Sequence, residues 1–229
     1  MTPRSSVPVL CTVLGLALGI GTGCSEEDPP PFDDVDVAGR DTNPDGVPYP
    51  ADDWGLEDRS KRVPGQRLPN FTFWGYPDSD RFAGLQPVSF ADYYDPDQRR
   101  HKLMFLVGVV AYCPHCQNET RALVEATSAM HDVGVRVVQV MFQGSKPGRA
   151  LSLLDVDNWV KGMGTKFTVL IDAEARRVGT VAGFIAVPWN VLLDTRSMEV
   201  LLVDYGELTD VRAFVDIAVR WVDSHGPRP

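Results

Sequence analysis

The chain has 229 residues, 44% of them hydrophobic, and a formal net charge of −9. That length supplies one sizeable core, and too little for two full domains once an atypical N-terminal region is set aside. Residues 25–58 hold twelve carboxylates against one basic side chain, Arg40, so the rest is near neutral and offers no basic stripe for nucleic acid.

Residues 1–23 read as a secretion signal. Arg4 provides a short positive region, and the apolar stretch 7–20, broken by Pro8 and several glycines, is too short to span a membrane. It ends in Gly21-Thr22-Gly23-Cys24, which resembles the lipobox of bacterial lipoproteins, with Gly21 where that pattern prefers Leu. The resemblance implies that Cys24 opens the mature chain and carries lipid; the alternative is a plain signal peptide. Cys11 lies inside the apolar stretch and leaves with it.

Residues 24–62 are rich in Pro, Gly and carboxylates and show no apolar periodicity. Such a composition predicts a disordered tether carrying the lipidated Cys24. Within it Asp41-Thr42-Asn43-Pro44-Asp45-Gly46 fits the first half of a calcium loop, but Asp52 stands where a bidentate Glu is expected. A solvated acidic linker is the simpler reading.

The folded domain is expected over 63–229. Residues 68–74 predict an edge strand and 87–94 a helical turn capped by Ser89. The β-branched run 103–111 predicts a strand covered on both faces. A helix over 114–130 follows, with Leu123, Ala126 and Met130 facing the core, then a strand over 135–142. A short helical insertion, 151–163, leads to a strand at 167–171 and a helix at 174–182. Val187-Pro188 opens an apolar strand to Asp194, where Pro fits a first strand residue or a cis turn. A hairpin strand over 198–203 and an apolar-faced helix with Thr209 as N-cap close the chain. The predicted class is α/β, a central mixed β-sheet flanked by helices.

With Cys11 and Cys24 set aside, Cys113-Pro114-His115-Cys116 holds the one thiol pair of the domain. Thiol–disulfide exchange runs through thiolate attack and a mixed disulfide. Two thiols spaced by two residues can attack and then resolve. At a helix start, unpaired N–H groups and the helix dipole favour negative charge. Pro114 suits the first helical position, where no N–H is needed. Cys113 is expected to be the exposed nucleophile and Cys116, one turn in, the buried resolver. A ring at His115 would favour the thiolate and hence a more oxidising couple. A zinc site lacks a second pair of ligands, and a purely structural disulfide remains an alternative.

The domain resembles the thioredoxin superfamily, nearest the membrane-anchored TlpA/ResA type of thiol–disulfide oxidoreductase. Pro64–Phe71, Val88–Tyr93, the Ala111–Cys116 redox segment and the Val187-Pro188 dipeptide carry the resemblance. It implies a thioredoxin-like fold, a cis Pro188 that with Val187 shapes the substrate groove, and a Glu119 that manages protons on the thiols. A solvated first-turn residue is the plain alternative for Glu119. It also implies no diffusible cofactor beyond the Cys113–Cys116 disulfide. The partners it implies are envelope protein thiols and disulfides, and a membrane redox protein that resets the pair. The expected location is the periplasm-facing bacterial envelope, on the outer membrane if Ser25 sorts as in enteric lipoproteins.

Four departures stand out. Tyr112 replaces the usual Trp, Val107 replaces the buried Asp of cytoplasmic thioredoxins, and Arg121 replaces a helix-kinking proline. The Pro114-His115 dipeptide resembles oxidising DsbA proteins on a scaffold that resembles reductases, so the direction of electron flow stays open. Two rivals remain: a peroxiredoxin-like peroxidase, which would want a Thr just before Cys113, and a non-enzymatic copper or haem-assembly protein.

Overall fold

The longest β-branched run becomes the central strand of a seven-stranded sheet. The computed structural model describes Phe32 and residues 35–52, 64–182 and 186–226. Its strands are β1 (Thr72–Tyr76), β2 (Gln86–Ser89), β3 (Leu103–Val110), β4 (Val135–Gln143), β5 (Thr168–Ile171), β6 (Trp189–Asp194) and β7 (Glu199–Tyr205). Its helices are α1 (Pro114–Asp132), α2 (Leu153–Met163), α3 (Gly179–Ala182) and α4 (Val211–Ser224). The sheet order is β2-β1-β5-β4-β3-β6-β7. β3, β4 and β5 run parallel, and the remaining pairs are antiparallel. This is the mixed α/β, thioredoxin-like architecture expected.

Every residue of β3 is buried. Its alternate side chains explain how. Phe105 packs against Phe214 of α4, with ring centroids 5.6 Å apart. Val107 lies beside Gln139 of β4, which bonds both Thr120 of α1 and Trp159 of α2. So α1, α2 and α4 share one face. On the other face Gly108 aligns with Trp189 and Trp189 with Tyr205, whose hydroxyl donates to the Ala182 carbonyl of α3. A Cβ on Gly108 would sit 2.5 Å from the Phe142 ring, so close packing requires glycine there.

Several boundaries move. The expected edge strand at 68–74 begins at Thr72 and is covered by β2, so it is not an edge. The 87–94 segment splits, because Pro87 suits the outer strand β2 and only Phe90–Tyr93 makes a 3₁₀ turn. Ser89 caps that turn as expected, accepting from the Ala91 N–H at 3.2 Å. The expected helix at 174–182 is interrupted because the Asp172 carboxylate takes the N–H groups of Arg177 and Val178. Asp210, not Thr209, caps α4, accepting from the Ala213 N–H at 3.0 Å.

The larger correction concerns the tether. Residues 35–52 pack on the domain, with Val35, Tyr49 and Asn43 buried. Asn43 Nδ2 donates to the Tyr94 carbonyl at 3.0 Å, while its Oδ1 accepts from Asp45 and Val47 N–H groups. The Tyr49 hydroxyl donates to the Leu68 carbonyl. With its side chain consumed in this way, Asn43 is a fold anchor and not a calcium ligand. Average composition predicted disorder because two or three anchoring residues hardly alter it. The signal segment 1–23, Cys24 and the tether's residues 53–62 lie outside the described residues. Among the described residues no helix is long and apolar enough to cross a membrane.

Asn43 holds Tyr94, next to Asp95, whose N–H donates to the Thr195 carbonyl just beyond β6. That is the end of the sheet opposite the cysteines. Asn43→Ala is expected to lower stability by about 1–3 kcal/mol, the cost of orphaning buried partners. Urea unfolding measures the loss, while the rate of Cys113 with a disulfide reagent stays at the wild-type value.

Candidate active site

β3 ends where its parallel partner still pairs. The Ala111 N–H donates to the Gln143 carbonyl at 3.1 Å, and the Cys113 N–H to the Val110 carbonyl at 3.2 Å, closing a tight turn. Gln117 Nε2 braces it from below by donating to the Ala111 carbonyl at 2.9 Å. Tyr112 stands at the rim, its hydroxyl 3.2 Å from Gln143 Oε1.

The chain then enters α1 with Cys113 as the N-cap and Pro114 at the first helical position. The Cys113 sulfur accepts from the Cys116 N–H at 3.4 Å. It therefore occupies the place of a capping oxygen, among the unpaired donors of the helix start. Both thiols are free. Cys116 is fully buried, and Cys113 is only 9% exposed, less open than expected for the attacking thiol. The cover is the turn before β6. The Val187-Pro188 bond is cis, and the Val187 carbonyl lies 4.0 Å from the Cys113 sulfur. Burial pushes the Cys116 thiol far above the ordinary thiol range, with Cys113 and Glu119 adding to the rise. Cys116 thus stays protonated until something takes its proton.

Glu119, one turn further along α1, is 1% exposed, which removes its reading as a solvated residue. Its Oε2 accepts from Asn190 Nδ2 of β6 at 3.2 Å and from the Leu208 N–H at 2.7 Å. Its Oε1 is buried without a partner among the described residues. Burial raises this carboxyl from 4.5 to about 7, and the charges of Glu207 and Asp204 add to the effect. The two hydrogen bonds oppose it. A carboxyl so poised exchanges protons near neutrality.

His115 projects outward, its side chain 68% exposed, with Nδ1 2.7 Å from Glu207 Oε2. The structure thus gathers Tyr112, Cys113, Pro114, His115, Cys116, Glu119, Val187 and Pro188 at one end of the sheet. Sequence reasoning missed Asn190 and Glu207. A lone Asn inside the apolar run after Pro188 was the available signal for the first; for Glu207, 92 residues from its partner, there was none. Among the described residues no three His, Cys, Asp or Glu side chains converge as a metal ion needs.

Comparison with known proteins places this geometry. Residues 64–210 match the AhpC/TSA family. The chain belongs to the AhpC/TSA family. The match spans β1 to the start of α4 and so includes every candidate site residue above. No curated protein matches the chain by sequence. Among solved structures, it is similar to the thioredoxin domain of a thiol–disulfide oxidoreductase from Bacteroides vulgatus. That likeness has a TM-score of 0.54 at 16% identity, covering 69% of this chain and 98% of the other. A thioredoxin-family thiol:disulfide interchange protein from Chlorobium tepidum gives 0.51 at 19%, covering 69% and 97%. A candidate thioredoxin from Neisseria meningitidis gives 0.50 at 25%, covering 68% and 90%. The AhpC/TSA chain thus has the thioredoxin-like fold, with a helix capped by a thiol and a buried carboxyl one turn further along it.

A carboxyl raised in the folded state favours the protonated protein. The Glu119 contribution to stability is therefore fully present below about 4.5 and is lost as pH rises through about 7. Glu119→Gln is expected to flatten that slope, gaining on wild type at about pH 8 but not at about pH 5. Urea unfolding at both values checks it, and parallel slopes would refute the buried, proton-holding carboxyl.

Proposed function

We propose that this protein is a lipid-anchored thiol–disulfide oxidoreductase of the TlpA/ResA type, exchanging disulfides with proteins of the bacterial envelope. One observation carries the reading: a thiol caps a helix, a second buried thiol lies one turn in, and a proton-exchanging carboxyl stands one turn further.

In the reducing direction Cys113 attacks a substrate disulfide as its thiolate. An S–S bond forms between Cys113 and the substrate, and the second substrate sulfur leaves as a thiolate. Glu119 takes the Cys116 proton. The Cys116 thiolate then attacks the Cys113 sulfur, closing the Cys113–Cys116 disulfide and releasing the remaining substrate thiolate. Two electrons pass to the substrate. The same steps in reverse donate a disulfide. No diffusible cofactor is invoked, and a membrane redox protein resets the pair. Val187 and Pro188, beside the Cys113 sulfur, form the wall against which an extended substrate lies. Tyr112 and His115 line the approach.

Neither rival is favoured. The residues before Cys113 offer no Thr to orient a peroxide, and the Tyr112 hydroxyl is engaged with Gln143. His115, the partner a copper site would want, has Nδ1 against Glu207.

Cys116→Ser is expected to accumulate mixed disulfides through Cys113, since the resolving thiol is gone. Non-reducing gels of envelope extracts measure this, and an absence of adducts sinks the catalytic reading. Anchoring is tested separately: Cys24→Ala should move the protein from the membrane fraction to the soluble periplasm, and unchanged membrane retention would contradict lipidation at Cys24.

A further inference from the structure

The corner joining β7 to α4 is fastened on three sides. The Gly206 N–H donates to the Pro188 carbonyl at 2.8 Å. Asn190 Nδ2 donates to the Gly206 carbonyl at 3.1 Å, and the Leu208 N–H to Glu119 Oε2 at 2.7 Å. Gly206 has φ of +91°, a backbone that glycine adopts without a Cβ penalty. The residues on either side of Glu207 are thus tied to the cis-proline turn, to β6 and to α1. From that fixed backbone the Glu207 carboxylate reaches His115 Nδ1 at 2.7 Å. A carboxylate only accepts, so Nδ1 carries the hydrogen.

We propose that Glu207 is a positioning residue of the redox site: held against His115, it makes the Cys113–Cys116 couple more reducing than the Cys-Pro-His-Cys sequence would be without it. The inference rests on the thiol–disulfide reading above. A bare ring at His115 is neutral or singly positive, and it favours the Cys113 thiolate to that extent. With the carboxylate attached, the pair is singly negative or neutral. In either protonation state the local charge is one unit more negative. Negative charge beside the dithiol disfavours its thiolate and leaves the uncharged disulfide untouched, so the couple shifts toward the reductant side. Because both side chains are partly exposed, solvent screens the effect to a modest size. Glu207 thus joins an oxidant-type dipeptide to a reductant-type scaffold.

The test is the equilibrium of the Cys113–Cys116 pair with glutathione, measured for wild type, Glu207→Gln and Asp204→Asn. Asp204 is the control, an acid at the end of β7 whose carboxylate accepts from the Tyr205 N–H rather than from the ring. Glu207→Gln is expected to shift the equilibrium toward the dithiol about three- to tenfold, equal to about 14–30 mV. Asp204→Asn is expected to move it by less than half as much. An unchanged or opposite shift for Glu207→Gln, or an equal shift for Asp204→Asn, overturns the role of Glu207 while leaving the exchange chemistry intact. A pair that forms no disulfide at any glutathione ratio overturns the functional reading, and this inference with it.

Discussion

The buried carboxyl of Glu119 is the point on which the rest of the site depends. It is buried away from water, and the hydrogen bonds that hold it from within all fall on one oxygen, Oε2. Its two donors come from elements far apart in the chain: Asn190 on β6 and the Leu208 N–H ahead of α4. Those two bonds draw together α1, the strand that follows the cis-proline turn and the corner carrying Glu207. Burial also raises the carboxyl to about 7, which suits it to the proton exchange with Cys116 that the proposed mechanism assigns it.

The same economy governs the sheet row behind it. Val107 aligns with Gln139 on one side and Asn190 on the other. Where cytoplasmic thioredoxins place an acid in this strand, the present chain has an apolar residue flanked by two amides. Gln139 is satisfied by Thr120 and Trp159, which locks α1 to α2. Asn190 serves Glu119 and Gly206. In the proposed mechanism the proton-exchanging carboxyl therefore lies on α1, with Asn190 of the neighbouring strand as its hydrogen-bonded support.

At the other end of the sheet, residues 35–52 of the acidic N-terminal region are docked on the domain. Asn43 and Tyr49 bond backbone carbonyls at Tyr94 and Leu68, and Asn70 and Ser89 bond the Arg40 carbonyl. A segment with few apolar residues can be ordered by a neighbour that supplies the partners. Composition counts side chains and does not see those partners, so the sequence predicted disorder throughout.

The sequence by itself determined the fold class, the strand–turn–helix around Cys113 and Cys116, and the proline beside them. Those features are local: a β-branched run, a proline at a helix start and a 3.6-residue apolar repeat write themselves into adjacent positions. It also singled out Glu119 through a resemblance, but left its environment undecided between solvent and core. Only the tertiary structure decided that Glu119 is buried, that Asn190 and Leu208 hold it, that Glu207 meets His115, and that Cys113 is covered by Val187. Each of those depends on contacts between residues tens of positions apart, set by which strands pair and which faces meet. Such pairings are properties of the assembled sheet, and no short window of the chain contains them.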